Sequence, residues 1–162
     1  MKGVRDIEVD PVNGLIFVAE ETLKMVLVYS INDDYTNSFN ISYGTSDTEA
    51  EPIGLAIDTE HHANVVFVGD NGYDAVFAFK YEALSDGDGY LYHLLWKTEP
   101  LDYLKHPAGI AVHGDSVYVV SQKRNLILRF DAESGKYIDA FVDFSKRKIT
   151  GENLLYVPGD GC

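Results

Sequence analysis

Apolar and polar residues alternate in short runs along most of the chain, and three of these runs resemble one another. They read LIFVAE at 15–20, VVFVGD at 65–70 and SVYVVS at 116–121. Val, Ile, Phe and Tyr dominate them, which is typical of β-strands. From Glu20, Asp70 and Ser121 onwards the three stretches align without a gap. A register that is kept across three copies predicts an internal repeat.

Each copy carries three further short runs, one before the shared run and two after it. The first runs are DIEVD (6–10), GLAID (54–58) and GIAVH (109–113), the third are VLVYSI (26–31), VFAFKY (76–81) and ILRFDA (127–132), and the fourth are SFNISY (38–43), YLYHLLW (90–96) and KYIDAFV (136–142). Turn-forming segments such as PVNG and AESGK separate them. Four antiparallel strands per repeat of about 40–55 residues are typical of a propeller blade. The sequence therefore predicts an all-β fold, a propeller arc of three four-stranded antiparallel blades, with a sandwich of unrelated strands as the alternative.

The first strands of the second and third blades share the motif Pro-x-Gly-apolar-Ala-apolar, in EPIGLAID at 51–58 and HPAGIAVH at 106–113. We expect Gly54 and Gly109 to allow close approach of the backbone, and Ala56 and Ala111 to be small because they face a crowded neighbouring blade. In the first blade Glu8 takes the alanine position, where a carboxylate needs a partner or water. Either Glu8 faces solvent in the central channel, or the neighbour on that side is missing or different. The core between blades is expected to take four apolar neighbours: Leu55, Ile57, Ile110 and Val112.

The pattern of Pro-x-Gly-apolar-Ala-apolar-Asp, followed by an apolar Tyr/Phe-Val-x-Asp run and an apolar-x-x-Phe strand, resembles NHL repeats over about residues 3–143. The resemblance implies a propeller, typically of six blades, and says little about activity. The basic residue that often precedes the third strand in NHL repeats is replaced here by Met25, Ala75 and Leu126. The first blade, with DPVNGLIFVAEE, is also similar to YWTD-type repeats.

Three blades are fewer than the four that form the low end of closed propellers, so two apolar blade faces should be left open. We place the blades at about 3–45, 50–98 and 105–143 of a single propeller segment. NLLYV at 153–157 copies NVVFV at 64–68, which predicts an incomplete fourth unit at about 148–162. The remaining blades are expected from the same, longer chain. A second copy that pairs into a six-bladed ring and a self-sufficient monomer stay open as alternatives.

The net charge of −13 disfavours binding to the phosphate backbone of nucleic acid. No segment reaches the roughly 18–20 apolar residues of a membrane span. The N-terminus lacks the pattern of a signal peptide, so we expect a cytosolic protein or a sequence that starts after its signal. The single cysteine, Cys162, is expected to be a free thiol or one half of a disulfide with a segment outside this sequence.

Candidate chemistry is sparse. Asp86 and Asp88, in the turn SDGDG, carry oxygens that suit Ca²⁺, so a calcium site is a hypothesis although no cofactor is required. The alternative is a solvated turn. Asn40 begins the sequon Asn-Ile-Ser and predicts glycosylation on an outer strand. The sequon and the terminal cysteine together lean towards an extracellular protein.

Five residues are candidates for the axial channel: Glu8, Asp10, Asp58, His106 and His113. The resemblance extends to six-bladed amidating lyases and gluconolactonase-like enzymes, which implies that a metal could lie near the axis. His106 and His113 share a blade and are separated by more than about 20 Å if the chain between them is fully extended, so they do not readily chelate one ion. We therefore expect a non-catalytic scaffold or interaction module within a larger extracellular or surface assembly. Its expected partner is another protein or the remaining blades of the propeller. The alternative is a metal-dependent hydrolase or lyase with an axial site.

Overall fold

The structure is a computed structural model and describes residues 3–32, 37–45, 48–85 and 89–145. These residues form strands and one short 3₁₀ turn at Gln122–Arg124. The strands are β1 Val4–Asp10, β2 Leu15–Glu20, β3 Met25–Ser30, β4 Asn37–Ile41, β5 Pro52–Ile57, β6 Val65–Asp70, β7 Ala75–Ala83, β8 Tyr90–Lys97, β9 Pro107–His113, β10 Ser116–Ser121, β11 Leu126–Asp131 and β12 Tyr137–Asp143.

The strands form three four-stranded sheets, β1-β2-β3-β4, β5-β6-β7-β8 and β9-β10-β11-β12, each with antiparallel neighbours in chain order. The first strands β1, β5 and β9 lie next to one another, so the sheets are arranged side by side as blades around one edge. The predicted fold class, an all-β arc of three four-stranded antiparallel blades, is confirmed. The predicted fourth unit at about 148–162 lies outside the described residues.

Two apolar clusters fill the seams between neighbouring blades. The first joins Phe17 and Val28 of blade one to Val66 and Phe79 of blade two. The second joins blade two to blade three, where Leu128 and Phe130 belong to the cluster. Because side chains alternate between the two faces of a strand, each blade has one face towards the preceding blade and one towards the following blade. We name them the leading face and the trailing face.

Leu55, Val66 and Phe79 belong to the leading face of blade two, whereas Ala56 and Phe67 belong to its trailing face. This division confirms that Ala56 faces a neighbouring blade. Gly54 also behaves as predicted, because a Cβ at this position would lie 2.8 Å from the carbonyl oxygen of Ala108 in blade three.

Blade three departs from the expectation for its first strand. Ala111 and Gly109 are exposed, and a Cβ added to Gly109 would meet only the side chain of Val120, at 3.5 Å or more. The physical reason is that no blade follows blade three within the described residues, so the crowding expected at these two positions is not supplied by them. Ile110 and Val112 do pack into the seam with blade two, as predicted.

Candidate interaction surfaces

Two of the axial candidates, Asp10 and Asp58, act as caps of their own hairpin turns. The Asp10 carboxylate accepts hydrogen bonds from the backbone N–H groups of Val12 (2.9 Å) and Asn13 (3.2 Å). Asp58 accepts the equivalent bonds from Glu60 (2.9 Å) and His61 (3.2 Å). These bonds occupy each carboxylate with the local turn geometry that Asp favours.

Asp10 is also the centre of a buried polar contact between blades one and two. It is fully buried, and the Tyr81 hydroxyl donates to its Oδ2 at 2.6 Å. The Asn13 side chain donates to the same oxygen at 2.6 Å and to Asn64 of blade two at 2.9 Å. Burial alone would raise the pKa of Asp10, but these hydrogen bonds outweigh it and hold the pKa below its ordinary value. The carboxylate therefore stays ionised as a structural acceptor.

A second buried carboxylate, Asp70, lies at the other end of the blades, where β6 ends. It accepts hydrogen bonds from the Tyr43 hydroxyl (2.8 Å) and from the backbone N–H groups of Glu51 (2.8 Å) and Tyr73 (2.9 Å). Burial raises the pKa of Asp70 in spite of these bonds. The sequence pattern marked this position only as the start of the gap-free alignment. Its partners could not be read from the sequence because Tyr43 is supplied by the connection between two blades.

The two axial histidines lie at opposite ends of β9, as their spacing predicts. His106 precedes the strand with a left-handed backbone (φ 56°), and its N–H donates to Asp74 at 2.7 Å. His113 ends the strand and is exposed. Since β9 separates them, the two rings do not converge on one point.

Glu8 lies on the trailing side of β1, opposite Phe17, and is partly exposed. Blade two is present on that side. A missing neighbour therefore does not explain why a carboxylate is tolerated at this alanine position. Burial, followed by the nearby charge of Asp6, raises the pKa of its carboxyl. The ionised form of Glu8 is therefore disfavoured where the side chain lies.

The other candidates are placed as follows. Asn40 is exposed on β4, the outermost strand of blade one. Asp86, Asp88 and Cys162 lie outside the described residues. Over 3–32, 37–45, 48–85 and 89–145, no three His, Cys, Asp or Glu side chains converge in a way that could hold a metal ion. In the same part of the chain, no helix has the length and apolar character needed to cross a membrane.

An open cavity of about 530 Å³ lies where the β6–β7 turn of blade two meets the connection to blade three. Its walls carry charges of both signs, and its two lysines already have partners. Lys105 pairs with Asp74 at 3.1 Å, and the Lys97 ammonium lies 4.1 Å from the centre of the Tyr73 ring. The cavity is therefore a mixed-charge groove in which these cations are held by neighbouring side chains.

The leading face of blade one is not covered by another blade within the described residues. On β1, β2 and β3 the six positions of this face are all apolar: Ile7, Val9, Ile16, Val18, Leu27 and Tyr29. On β4 the exposed Asn40, which is paired with Leu27, lies on the same face. Ile7 is 57% exposed and Val9 is 47% exposed. None of the six is buried, although contiguous apolar surface of this kind is usually covered in a folded protein.

The trailing face of blade three is open in the same way. Val120 and Phe141 are exposed there, and the Tyr118 ring packs edge-on against Phe141 with 5.1 Å between ring centres. Arg129 also lies on this face and makes a two-pronged ion pair with Asp139, at 2.6 and 3.1 Å. Within residues 3–145, as far as the structure describes them, the arc therefore ends in two open blade faces, as expected for three blades.

No family model and no curated protein sequence matches the chain. Several solved structures do match its fold. Virginiamycin B lyase from Staphylococcus aureus is 16% identical with a TM-score of 0.59, and the match covers 85% of this chain and 40% of that chain. BamB from Moraxella catarrhalis is 18% identical with a TM-score of 0.57, covering 88% and 36%. Sqt1 of Saccharomyces cerevisiae is 9% identical with a TM-score of 0.65, covering 87% and 35%.

These structural neighbours are β-propeller proteins, and the chain has the same fold over its described blades. At identities below 20% the likeness concerns the fold alone. The chain spans about two fifths of the length of the lyase it resembles.

Proposed function

We propose that this chain is a non-catalytic propeller scaffold of the NHL-like type, which acts by binding protein through its open blade faces. The observation that carries the proposal is the leading face of blade one. Most of the equivalent positions in blades two and three are buried against the preceding blade, whereas in blade one none of the six is buried and two are exposed. An apolar surface of this size on a soluble protein is typical of an interaction site.

The polar residues support the same function. Asp10 and Asp58, which the sequence offered as axial ligands, are used to cap turns, and Asp10 also joins two blades through Tyr81. The Asp10 contact ties blade one to blade two, which suits a surface that holds a partner in a fixed orientation. The NHL-like repeat type, remaining blades supplied either by the same longer chain or by a second copy, and the extracellular setting belong to this proposal.

The test is the mass of the protein isolated from its own source under native conditions. Ile7→Asp places a charge in the leading face, while Val12→Asp places the same charge on an exposed turn outside it, where Val12 is 74% exposed. We expect the wild type and Val12→Asp to be recovered in an assembly larger than one chain, and Ile7→Asp to be released from it. Recovery of all three as free single chains would contradict the proposal.

Metal analysis of the same preparations separates the proposal from the alternative hydrolase or lyase. A scaffold should keep its assembly after dialysis against a chelator. Stoichiometric Ca²⁺ or Zn²⁺, together with a hydrolytic or lyase activity that the chelator abolishes, would favour the alternative.

A further inference from the structure

One open face of the arc is a leading face and the other is a trailing face. Inside the chain, a trailing face packs against the leading face of the next blade. At the six leading-face positions, blade two has Leu55, Ile57, Val66, Val68, Phe77 and Phe79, and blade three has Ile110, Val112, Val117, Val119, Leu128 and Phe130. Every one is apolar, as in blade one. Five of the six are buried in blade two and four in blade three, because a trailing face covers them. The leading face of blade one thus has the same apolar positions as the leading faces of blades two and three, each of which is covered by the preceding blade.

The trailing face of blade three has the features of the faces that do the covering. Tyr118 stands at the position of Phe17 and Phe67, the fully buried rings of the trailing faces of blades one and two. Its first strand carries only small residues on this face, Gly109 and Ala111, as blade two carries Gly54 and Ala56 where it meets blade three. The three described blades therefore present one open face of each kind.

We propose that the leading face of blade one is covered by the trailing face of blade three from a second copy of this chain, and that the reverse contact forms at the same time. The proposal rests on the proposed function, since it names the partner of the same open faces. Two identical contacts related by a two-fold axis are the commonest arrangement of homo-oligomers. Two three-bladed arcs give a ring of six blades, within the range of about four to eight in closed propellers.

The charge distribution is compatible with contact between two copies. Each chain has a net charge of −13, but the six leading-face residues carry none of it. On the trailing face the charge of Arg129 is neutralised by its ion pair with Asp139. Repulsion between the copies therefore comes from charges outside the contact and is screened by salt over about 10 Å at 0.1 M. Pairing should become tighter as salt is added.

The contact between blades two and three gives the geometry of a covalent test. A Cβ built on Gly69 lies 3.6 Å from the Cβ of Pro107, a separation that suits a disulfide. The strand registers make Val120 the equivalent of Gly69, and Val4 the equivalent of Pro107. In the proposed ring, Val120 of one copy therefore lies beside Val4 of the other, and both are exposed in the single chain.

The experiment uses the double variant Val4→Cys/Val120→Cys in a Cys162→Ser background, which leaves the two introduced thiols as the only ones. Under mild oxidation we expect a covalent dimer with two disulfides, which dithiothreitol reverses. The matched control, Val12→Cys/Val120→Cys, moves one thiol from the leading edge to an exposed turn and should stay largely monomeric. Each single variant should not link to itself, whereas a mixture of Val4→Cys and Val120→Cys should give a mixed dimer.

Several results would overturn the inference. The double variant could remain monomeric, link no faster than its control, or form open polymers instead of closed dimers. A native assembly that contains another protein and no second copy would also overturn it, while leaving the scaffold proposal intact. Conversely, dimers together with a metal-dependent activity in the source preparation would refute the scaffold proposal and leave the pairing standing.

Discussion

Blades one and two present the same kind of leading face to different surroundings. In blade two, Leu55 is 1% exposed because the trailing face of blade one covers it. In blade one the equivalent residue, Ile7, is 57% exposed. The two faces share apolar character and strand register, so what separates them is the presence of a neighbouring blade. An apolar pattern thus specifies which face is to be covered, whereas the covering surface has to be supplied by another unit.

The largest effect should come from truncating the same position in the two faces. Leu55→Ala removes a buried side chain from the first seam and should lower the free energy of unfolding by about 2–5 kcal/mol. Ile7→Ala removes a mostly exposed side chain and should change it by no more than about 0.5 kcal/mol. Urea unfolding at low protein concentration measures both. Equal losses would mean that Ile7 is buried in the single chain.

A smaller loss is expected for the polar contact that joins the covered face to blade one. Tyr81→Phe removes the hydroxyl that donates to the fully buried Asp10 carboxylate, which should cost about 1.5–3 kcal/mol. Tyr92→Phe is the matched control and should cost less than about 1 kcal/mol, because the two hydrogen bonds that its hydroxyl makes with the backbone of Ser42 are exposed.

The stability loss caused by Tyr81→Phe should depend on pH. Hydrogen bonds hold the pKa of Asp10 below its unfolded value of about 3.9, so its contribution is present above that pH and is lost as the pH falls through the folded pKa. Tyr81→Phe removes one of these bonds and should raise the pKa of Asp10. The difference in stability between wild type and Tyr81→Phe should therefore shrink on acidification. A difference that grows on acidification would contradict this assignment.

Glycine substitutions compare a covered trailing face with the open one. Gly54→Ala puts a Cβ 2.8 Å from the Ala108 carbonyl oxygen, and should destabilise the single chain by about 1–3 kcal/mol because backbone has to shift. Gly109→Ala, at the equivalent position of blade three, meets only the Val120 side chain and should be neutral within about 0.5 kcal/mol. Thermal unfolding of the two variants side by side decides the point, and a large loss for Gly109→Ala would show that the face is already covered.

The smallest expected effect is a gain. Glu8 is half-buried at a position where the other blades have alanine, and burial followed by the charge of Asp6 raises the pKa of its carboxyl. A raised pKa means that folding favours the protonated form, so the ionised carboxylate destabilises the protein at neutral pH. Glu8→Ala should therefore stabilise by about 0.5 kcal/mol near pH 7. The gain should fade as the pH falls well below the unfolded pKa of about 4.3, because the carboxyl is then protonated in both the folded and the unfolded state. A gain that persists at such a pH would mean that the smaller side chain improves the packing of the strand.

Much of the fold could be predicted from the sequence because a strand repeat leaves a local signal. The second runs of the three blades were placed at 15–20, 65–70 and 116–121, and the strands Leu15–Glu20, Val65–Asp70 and Ser116–Ser121 occupy the same residues. The close approach of the Ala108 backbone to Gly54 could also be predicted, because Gly in a strand often marks a site where another backbone approaches closely.

The site could be predicted only in part. Asp10 stood out by its repeat position, but its use as an acceptor for Tyr81 depends on a contact between residues 71 positions apart. Nothing local marks such a pair. The open faces were expected from the number of blades, whereas the character of the trailing face of blade three depended on seeing which side of β10 carries Tyr118.

Sedimentation equilibrium of the wild type and Ile7→Asp tests the central claim most directly, namely that a second copy of this chain covers the leading face of blade one. We predict that the wild type sediments at twice the single-chain mass of 18.0 kDa, while Ile7→Asp, correctly folded by circular dichroism, sediments at the single-chain mass. A charge buried without a partner in such a contact should weaken the pairing by about 100-fold or more. A wild type that stays at the single-chain mass up to high concentration, or a variant that pairs equally well, would contradict the account.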